Sequence, residues 1–347
     1  MKVRFFNPGL GYLKIKKEVD KEIQRVLNAG DLILREDGER FEQNLANFVG
    51  TKYAVGLNSG TDALYLSLKA IGVGQGDEVI TSSHTFVATA QVIAQLGAIP
   101  VLVDIDEDGL MDLEEVKNAI IPLKTRAIIP VHIAGDICDM VSLKEIADHN
   151  KIWIIEDAAQ ALGAVKPVGS TQCFSFYPAK ILGAYGDAGA ITTNEKEIYN
   201  EIKELRNHYK KDYSKWGINS RLDNLQAAIL NIKIKYLPEV LARRKEISEM
   251  YLEKLNGVGL PLNNEQRVWQ DFIIRTEKRN ELYDFLKENG IETMKNEYPF
   301  TPQYPKLPMA QRYEEETLRL PCNENLTDEE IQEVINKIKE FYSSPTA

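Results

Sequence analysis

A chain of 347 residues, 44% hydrophobic and 27% charged, has the composition of an ordinary globular enzyme and the length for one large domain plus a smaller one. A net charge of −10 with no basic stripe argues against a nucleic-acid partner, while leaving room for a phosphate-bearing ligand seated on backbone dipoles. Cys138, Cys173 and Cys322 are too scattered for a disulfide framework, and His84, His132, His149 and His208 lack metal-ligand spacing. No signal-peptide core follows Met1 and no apolar run has membrane-spanning length, so a cytoplasmic protein with no metal and no membrane partner is expected.

Residues 1–12 read as an extended arm. Ile15, Val19, Ile23, Val26 and Leu27 then recur at helical spacing over 14–28, and Gly30 ends the run. A second helix is expected over 38–49, on Phe41, Leu45 and Phe48, and a short strand over 53–57. Asn58-Ser59-Gly60-Thr61-Asp62 follows, and then an apolar helix over 63–71. The first turn of such a helix has unpaired N–H groups at the positive end of its dipole, which suits phosphate. Ordinary capping by Ser59 or Thr61 is the commoner use of this pattern. Gly72-Val-Gly-Gln-Gly76 imitates a dinucleotide fingerprint, but it follows a helix and precedes a strand at 77–81, the reverse of the required order.

Alternation then continues: helix 85–96, strand 99–104, helix 113–119, strand 126–131, helix 141–149 and strand 152–156. Repeated strand–helix units with apolar strands predict a parallel sheet covered on both faces, an α/β fold. Glu156-Asp157-Ala-Ala-Gln160 closes the last of these strands at its carboxyl edge, where open α/β sheets bind ligands.

The stretch from Ser170 to Thr193 carries the chemistry. A strand over 173–177 meets Pro178, which has no N–H to give a ladder. Lys180 comes next, then Gly183, Gly186 and Gly189, and a second strand over 190–193. A lysine held between two strands is poorly placed for a solvated charge and well placed to lose its proton and attack a carbonyl.

Downstream, helices are expected over 196–207, from 222, over 236–255 with Pro238 near its start, and over 278–289, with a strand at 268–275. A Pro-rich loop spans 298–305 and an amphipathic helix spans 328–341. The expected division is a large domain over 1–235, including the arm, and a smaller α+β domain over 236–347.

Four parts combine: a phosphate seat at Gly60 and Thr61, an acid at Asp157, a stacking aromatic at Phe86, and the amine of Lys180. Together they specify pyridoxal phosphate, whose protonated ring nitrogen needs an acid and whose aldehyde needs a lysine.

At Asn58-Ser-Gly-Thr-Asp-Ala-Leu64, Thr85-Phe-Val-Ala-Thr89, Glu156-Asp-Ala-Ala-Gln160, Phe174-Ser-Phe-Tyr-Pro-Ala-Lys180, Gly186-Asp-Ala-Gly189 and Gly217-Ile-Asn-Ser-Arg-Leu-Asp223 the chain resembles the DegT–DnrJ–StrS sugar aminotransferases. The resemblance covers nearly the whole length. It implies the three-layer fold type I architecture of aspartate aminotransferase, with a mostly parallel sheet. It further implies that Lys180 is the Schiff-base lysine, that Asp157 pairs with the ring nitrogen, and that Gln160 sits near the ring's phenolate oxygen. Gly60, Thr61 and Ser175 would contact the phosphate, Phe86 would stack on the ring, and Asn219 would reach the phosphate from a neighbouring subunit. A homodimer with a shared site follows. The implied cofactor is pyridoxal 5'-phosphate, with pyridoxamine phosphate between the two halves of a ping-pong reaction. The implied reaction moves an amino group from L-glutamate to a 3-keto or 4-keto nucleotide-linked deoxysugar, as in O-antigen or polysaccharide biosynthesis. Two alternatives stand beside it, a pyridoxamine-dependent sugar dehydratase and a catalytically idle regulatory homologue. Arg35, Leu162, Ile181 and Glu297 depart from the family's usual residues, and are expected near the sugar side of the cleft.

Overall fold

The structure is a computed structural model that describes residues 2–164, 167–262, 266–298 and 306–343. The arm is shorter than expected. Helix α1 (Pro8–Ala29) starts at a proline, whose missing N–H costs nothing in a first turn, and non-helical dihedrals at Ile15 mark where the early segment joins the periodic one. Next come α2 (Glu36–Val49), β1 (Tyr53–Leu57), α3 (Gly60–Ala70), β2 (Glu78–Ser82), α4 (Ala88–Gln95), β3 (Ile99–Val103), α5 (Leu113–Ala119) and β4 (Thr125–Ile129). Then follow α6 (Met140–Asn150), β5 (Trp153–Asp157), β6 (Thr171–Ser175), β7 (Gly189–Thr193), α7 (Lys196–Leu205), α8 (Asn224–Lys233) and α9 (Leu237–Lys254). The chain continues through β8 (Phe272–Arg275), α10 (Arg279–Glu288), β9 (Met294–Lys295), α11 (Pro308–Glu316), β10 (Thr317–Leu320) and α12 (Asp328–Ser343).

Seven strands form the main sheet in the order β1-β7-β6-β5-β4-β2-β3. Strand β7 runs antiparallel between β1 and β6, and the remaining pairs are parallel. Successive strand residues face opposite sides, and both sides are apolar. On β1, Val55 and Leu57 pack with Leu64, Leu66 and Leu68 of α3, while Ala54 packs with Phe41 and Leu45 of α2. On β5, Ile155 joins the α3 side and Ile154 joins Leu143 and Ile146 of α6. Helices therefore cover both faces, which is the three-layer α/β fold the alternation predicts.

The second sheet has three strands, β8-β10-β9, and packs with α9, α10 and α12 around Tyr251, Phe272, Leu286 and Ile335. Val3 belongs to this cluster and bridges to Ile291, so the first residues of the chain reach the last sheet. Helix α11 and strand β10 lie between residues 289 and 328, where the periodicity suggests no element. Of the Pro-rich stretch at 298–305, residues 299–305 fall outside the described residues. Among the described residues no helix is long and apolar enough to cross a membrane.

Candidate active site

The connection between β6 and β7 holds Lys180 in a tight turn. Its N–H donates to the Tyr177 carbonyl at 2.8 Å, and the N–H of Ala184 reaches back to the Phe176 carbonyl at 2.8 Å. Gly183 is needed there, because a Cβ would lie 2.3 Å from the carbonyl oxygen of Pro178. Gln270, just before β8, grips the peptides on either side of the lysine. Its Oε1 accepts from the Ile181 N–H at 3.0 Å and its Nε2 donates to the Ala179 carbonyl at 3.0 Å. Burial lowers the pKa of Lys180 from its ordinary value; Asp271 and Asp157 oppose the shift and Arg319 adds to it.

Asp157 ends β5 at the carboxyl edge of the sheet and is 8% exposed. Its Oδ2 accepts from Thr89 Oγ1 at 3.1 Å and its Oδ1 from the Ala159 N–H at 3.2 Å. Thr89 is fixed in turn by Thr85, with the two hydroxyl oxygens 3.0 Å apart. Burial pushes the Asp157 pKa up; the Ala159 N–H, Thr89 and Lys180 act in the other direction. The neighbouring carboxylate, Glu156, is bonded to His132 Nε2 at 3.0 Å and accepts from the N–H groups of Val168 and Gly169 at 2.8 and 2.6 Å. Burial acts against its ionisation, but His132 and these N–H groups prevail and hold its pKa below the ordinary value. The backbone N–H of His132 donates to the Asp157 carbonyl at 3.0 Å, so the buried pair braces the strand end that presents Asp157.

The expected phosphate seat is the start of α3. Ser59 is the N-cap, accepting from the Asp62 N–H at 3.1 Å, as the capping reading of this motif expects. Capping by Ser59 satisfies one N–H and leaves others of the first turn for an anion. Gly189 of β7 lets the strand pass against this turn, since a Cβ there would sit 2.2 Å from the carbonyl carbon of Ser59.

A cleft of about 590 Å³ collects these groups: Gly60, Thr61, Phe86, Asp157, Gln160, Ser175 and Lys180 all line it. Phe86 is on the connection ahead of α4 and is 58% exposed. Gln160 receives the Ala134 N–H on its Oε1 at 2.7 Å and extends its Nε2 to Tyr298 OH at 3.4 Å. Asn219 is exposed and does not line the cleft; it bridges instead to Asn207. None of Arg35, Leu162, Ile181 and Glu297 lines the cleft itself, though Ile181 follows Lys180 and Glu297 precedes Tyr298, which do. Leu162 and Ile181 belong to the apolar core beneath the lysine turn, while Arg35 pairs with Asp31 and Glu297 with Arg279. Thr89, His132, Gln270, Asp271, Tyr298 and Arg319 also line the cleft, and the sequence assigns none of them a role in the site. The Thr85–Thr89 spacing on a helix start could have pointed to Thr89; the others come from distant segments with no local signal. An anion seat, an amine made reactive by burial and a buried acid in one cleft match the chemical demands of pyridoxal phosphate.

Residues 13–339 match the DegT/DnrJ/EryC1/StrS aminotransferase family. The chain belongs to that family. The aminotransferase is 38% identical to a dTDP-3-amino-3,4,6-trideoxy-alpha-D-glucose transaminase of Streptomyces venezuelae, over 98% of this chain and 96% of the relative. It superposes on the crystal structure of S. venezuelae DesV in complex with a ketimine intermediate with a TM-score of 0.94, at 38% identity, covering 99% of both chains. It also superposes on NtdA of Bacillus subtilis with bound cofactor PMP, TM-score 0.90 at 29% identity, covering 95% of this aminotransferase and 82% of that chain. The fold is therefore fold type I, and the aminotransferase uses pyridoxal phosphate.

Proposed function

We propose that the chain transfers an amino group from L-glutamate to the keto carbon of a 3-keto or 4-keto nucleotide-linked deoxysugar, working as a homodimer. The observation that carries the reading is the shared cleft, in which Lys180, its pKa lowered by burial, and the buried carboxyl of Asp157 stand around the open first turn of α3. The kinship with a dTDP-sugar transaminase supports the sugar as acceptor.

When bound in the cleft, pyridoxal phosphate would supply a ring that acts as an electron sink. The protein does the rest. Gly60, Thr61 and Ser175 would hold the phosphate at the start of α3, and Phe86 would cover one ring face. Asp157, oriented by Thr89 and the Ala159 N–H, holds a proton at the ring nitrogen. Gln160 would stand at the ring oxygen. The amine of Lys180 moves a proton on and off the reacting substrate carbon, a role that needs the unprotonated form its burial favours. Asn219 completes the phosphate site from a second subunit, in line with its exposed position away from its own cleft. We also assign residues 1–235 to the cofactor-binding domain and 236–347 to the smaller one; the separate second sheet and the start of α9 at Leu237 support the division.

The test is incubation with glutamate and a panel of nucleotide-linked 3-keto and 4-keto deoxysugars, with products read by mass spectrometry. Amino sugar with the expected mass gain supports the reading. Loss of a hydroxyl with no gain of nitrogen would identify a dehydratase instead. A colourless protein that gains no near-visible band with added cofactor would identify an idle homologue.

A further inference from the structure

Asp271 stands one residue ahead of β8 and lines the same cleft as Lys180. Its place is set by the segment that carries it. Gln270, its neighbour in the chain, holds the peptides flanking Lys180, and Val268 donates its N–H to the Gly135 carbonyl at 3.0 Å. A Cβ on Gly135 would collide with the Val268 carbonyl, so this close approach depends on that glycine. Asp271 is thereby presented beside the lysine turn, near enough for its charge to oppose the effect of burial on Lys180.

Asp271 is 6% exposed, yet its hydrogen bonding is incomplete. Its Oδ2 receives Nη1 of Arg319 at 3.4 Å, which is long for a charge-assisted bond, where about 2.7–2.9 Å is usual. Among the described residues its Oδ1 has no partner, and it is not one of the oxygens sealed inside the protein, so it opens on the cleft. A buried carboxylate oxygen left unpaired is costly, and an N–H or O–H brought by a ligand removes that cost. Arg319 beside it keeps its proton, so the pair carries no net charge and suits a neutral donor. Had Asp271 served only as counter-ion to Arg319, a close two-pronged contact would suit it better than one long one.

We propose that Asp271 sets acceptor specificity by receiving a hydroxyl, or an acylamino N–H, carried on a carbon beside the keto group of the sugar. The proposal rests on the sugar-aminotransferase reading above. The keto carbon must meet Lys180, so the groups within reach of Asp271 are those on the adjacent carbons. Glutamate offers two carboxylates, which this oxygen repels, and an amine, which the reaction takes. A keto sugar offers neutral donors that survive the reaction. A site built around such a donor rejects the sugar that lacks it, because the carboxylate oxygen is then left buried and unpaired.

The experiment uses the enzyme loaded with pyridoxal phosphate, which with no amino donor present leaves a keto sugar unchanged. Each nucleotide-linked keto deoxysugar of a panel is paired with its counterpart lacking one hydroxyl or acylamino group beside the keto carbon. Both dissociation constants are read by calorimetry. For the native enzyme, loss of the recognised group is expected to weaken binding roughly 10- to 100-fold, the size of a hydrogen bond to a charged group. The pair that shows this loss identifies the group. In Asp271→Ala the two sugars of that pair should bind nearly alike. Asp271→Asn keeps an acceptor oxygen without the charge, and should retain part of the preference. Each ratio compares two sugars in one enzyme, so changes at Lys180 or Arg319 cancel, and a merely structural role would weaken both sugars equally. The KM values of the pair, with glutamate as donor, should repeat the ratio. A native enzyme indifferent to every such group overturns the proposal, as does a preference that survives undiminished in Asp271→Ala. Should Asp271→Ala fail to fold, an undiminished preference in Asp271→Asn overturns it. A native enzyme that aminates no sugar of the panel defeats the sugar reading and this proposal with it. One that aminates them without discrimination defeats this proposal alone.

Discussion

Glu156 and Asp157 are consecutive carboxylates whose surroundings push them in opposite directions. Burial raises Asp157, whereas His132 and two N–H groups lower Glu156. Asp157→Asn should leave the fold intact and cut turnover by about 10²- to 10³-fold, the usual cost of removing one electrostatic partner of the reacting group. Steady-state kinetics check it, and near-normal turnover would refute the electron-sink role. Glu156 acts on stability. Its folded pKa lies below the unfolded value of 4.5, so its contribution is present above about pH 4.5 and disappears as pH falls through the folded value. Glu156→Gln should therefore be less stable near neutrality by about 3 kcal/mol, because His132 loses its buried partner. The gap should close in acid, as urea titrations across pH would reveal. For Lys180 the shift is downward, so the unprotonated amine dominates from a pH below the ordinary 10.5. The rate at which cofactor-free enzyme captures pyridoxal phosphate should rise with pH and level off before that value. A plateau reached only above it would indicate a solvated lysine.

The connection between β6 and β7 works as a unit because distant groups restrain its backbone. Gln270 bonds to the peptides on both sides of Lys180, so Gln270→Ala removes two hydrogen bonds that hold the turn. Each is worth about 1 kcal/mol, and the lysine would be held less firmly at the reacting carbon. The expected outcome is roughly a tenfold fall in kcat with little change in sugar KM. Gly183→Ala should be more severe, since a methyl group 2.3 Å from the Pro178 carbonyl oxygen forces the turn to open. Cofactor occupancy of the purified variant, read from its absorbance, would register the displacement.

In the whole molecule, the site is incomplete within one chain if Asn219 serves a neighbour. Asn219 leaves its own cleft, and the loop that carries it exposes Trp216 at 90% and Tyr213 at 73%. Helix α1 adds exposed Leu10, Leu13 and Leu27. Large apolar side chains left open in this way are typical of surfaces that a partner covers. Dilution should therefore release cofactor as dimers separate, and Asn219→Ala should show weaker retention at every concentration. Occupancy that stays constant down to monomeric protein, measured by light scattering and absorbance together, would contradict the shared site.

Local chemistry wrote much of this protein into its sequence. A lysine between two strands, a glycine turn opening a helix, and an acid ending an apolar strand are short-range patterns, legible because backbone geometry ties spacing to direction. Even the three layers follow from strands apolar on both faces. The tertiary structure alone decided that β7 lies between β1 and β6, which brings Gly189 against Ser59. It alone set Gln270 on the lysine turn and Arg319 in the cleft, from segments about 90 and 140 residues further along the chain. The four-residue strand that carries Arg319 has too little alternation to announce itself, and its place is fixed by the pairing of β10 with β8 and β9. Periodicity reports which way a side chain points from its own backbone; which distant group it meets depends on how the layers close.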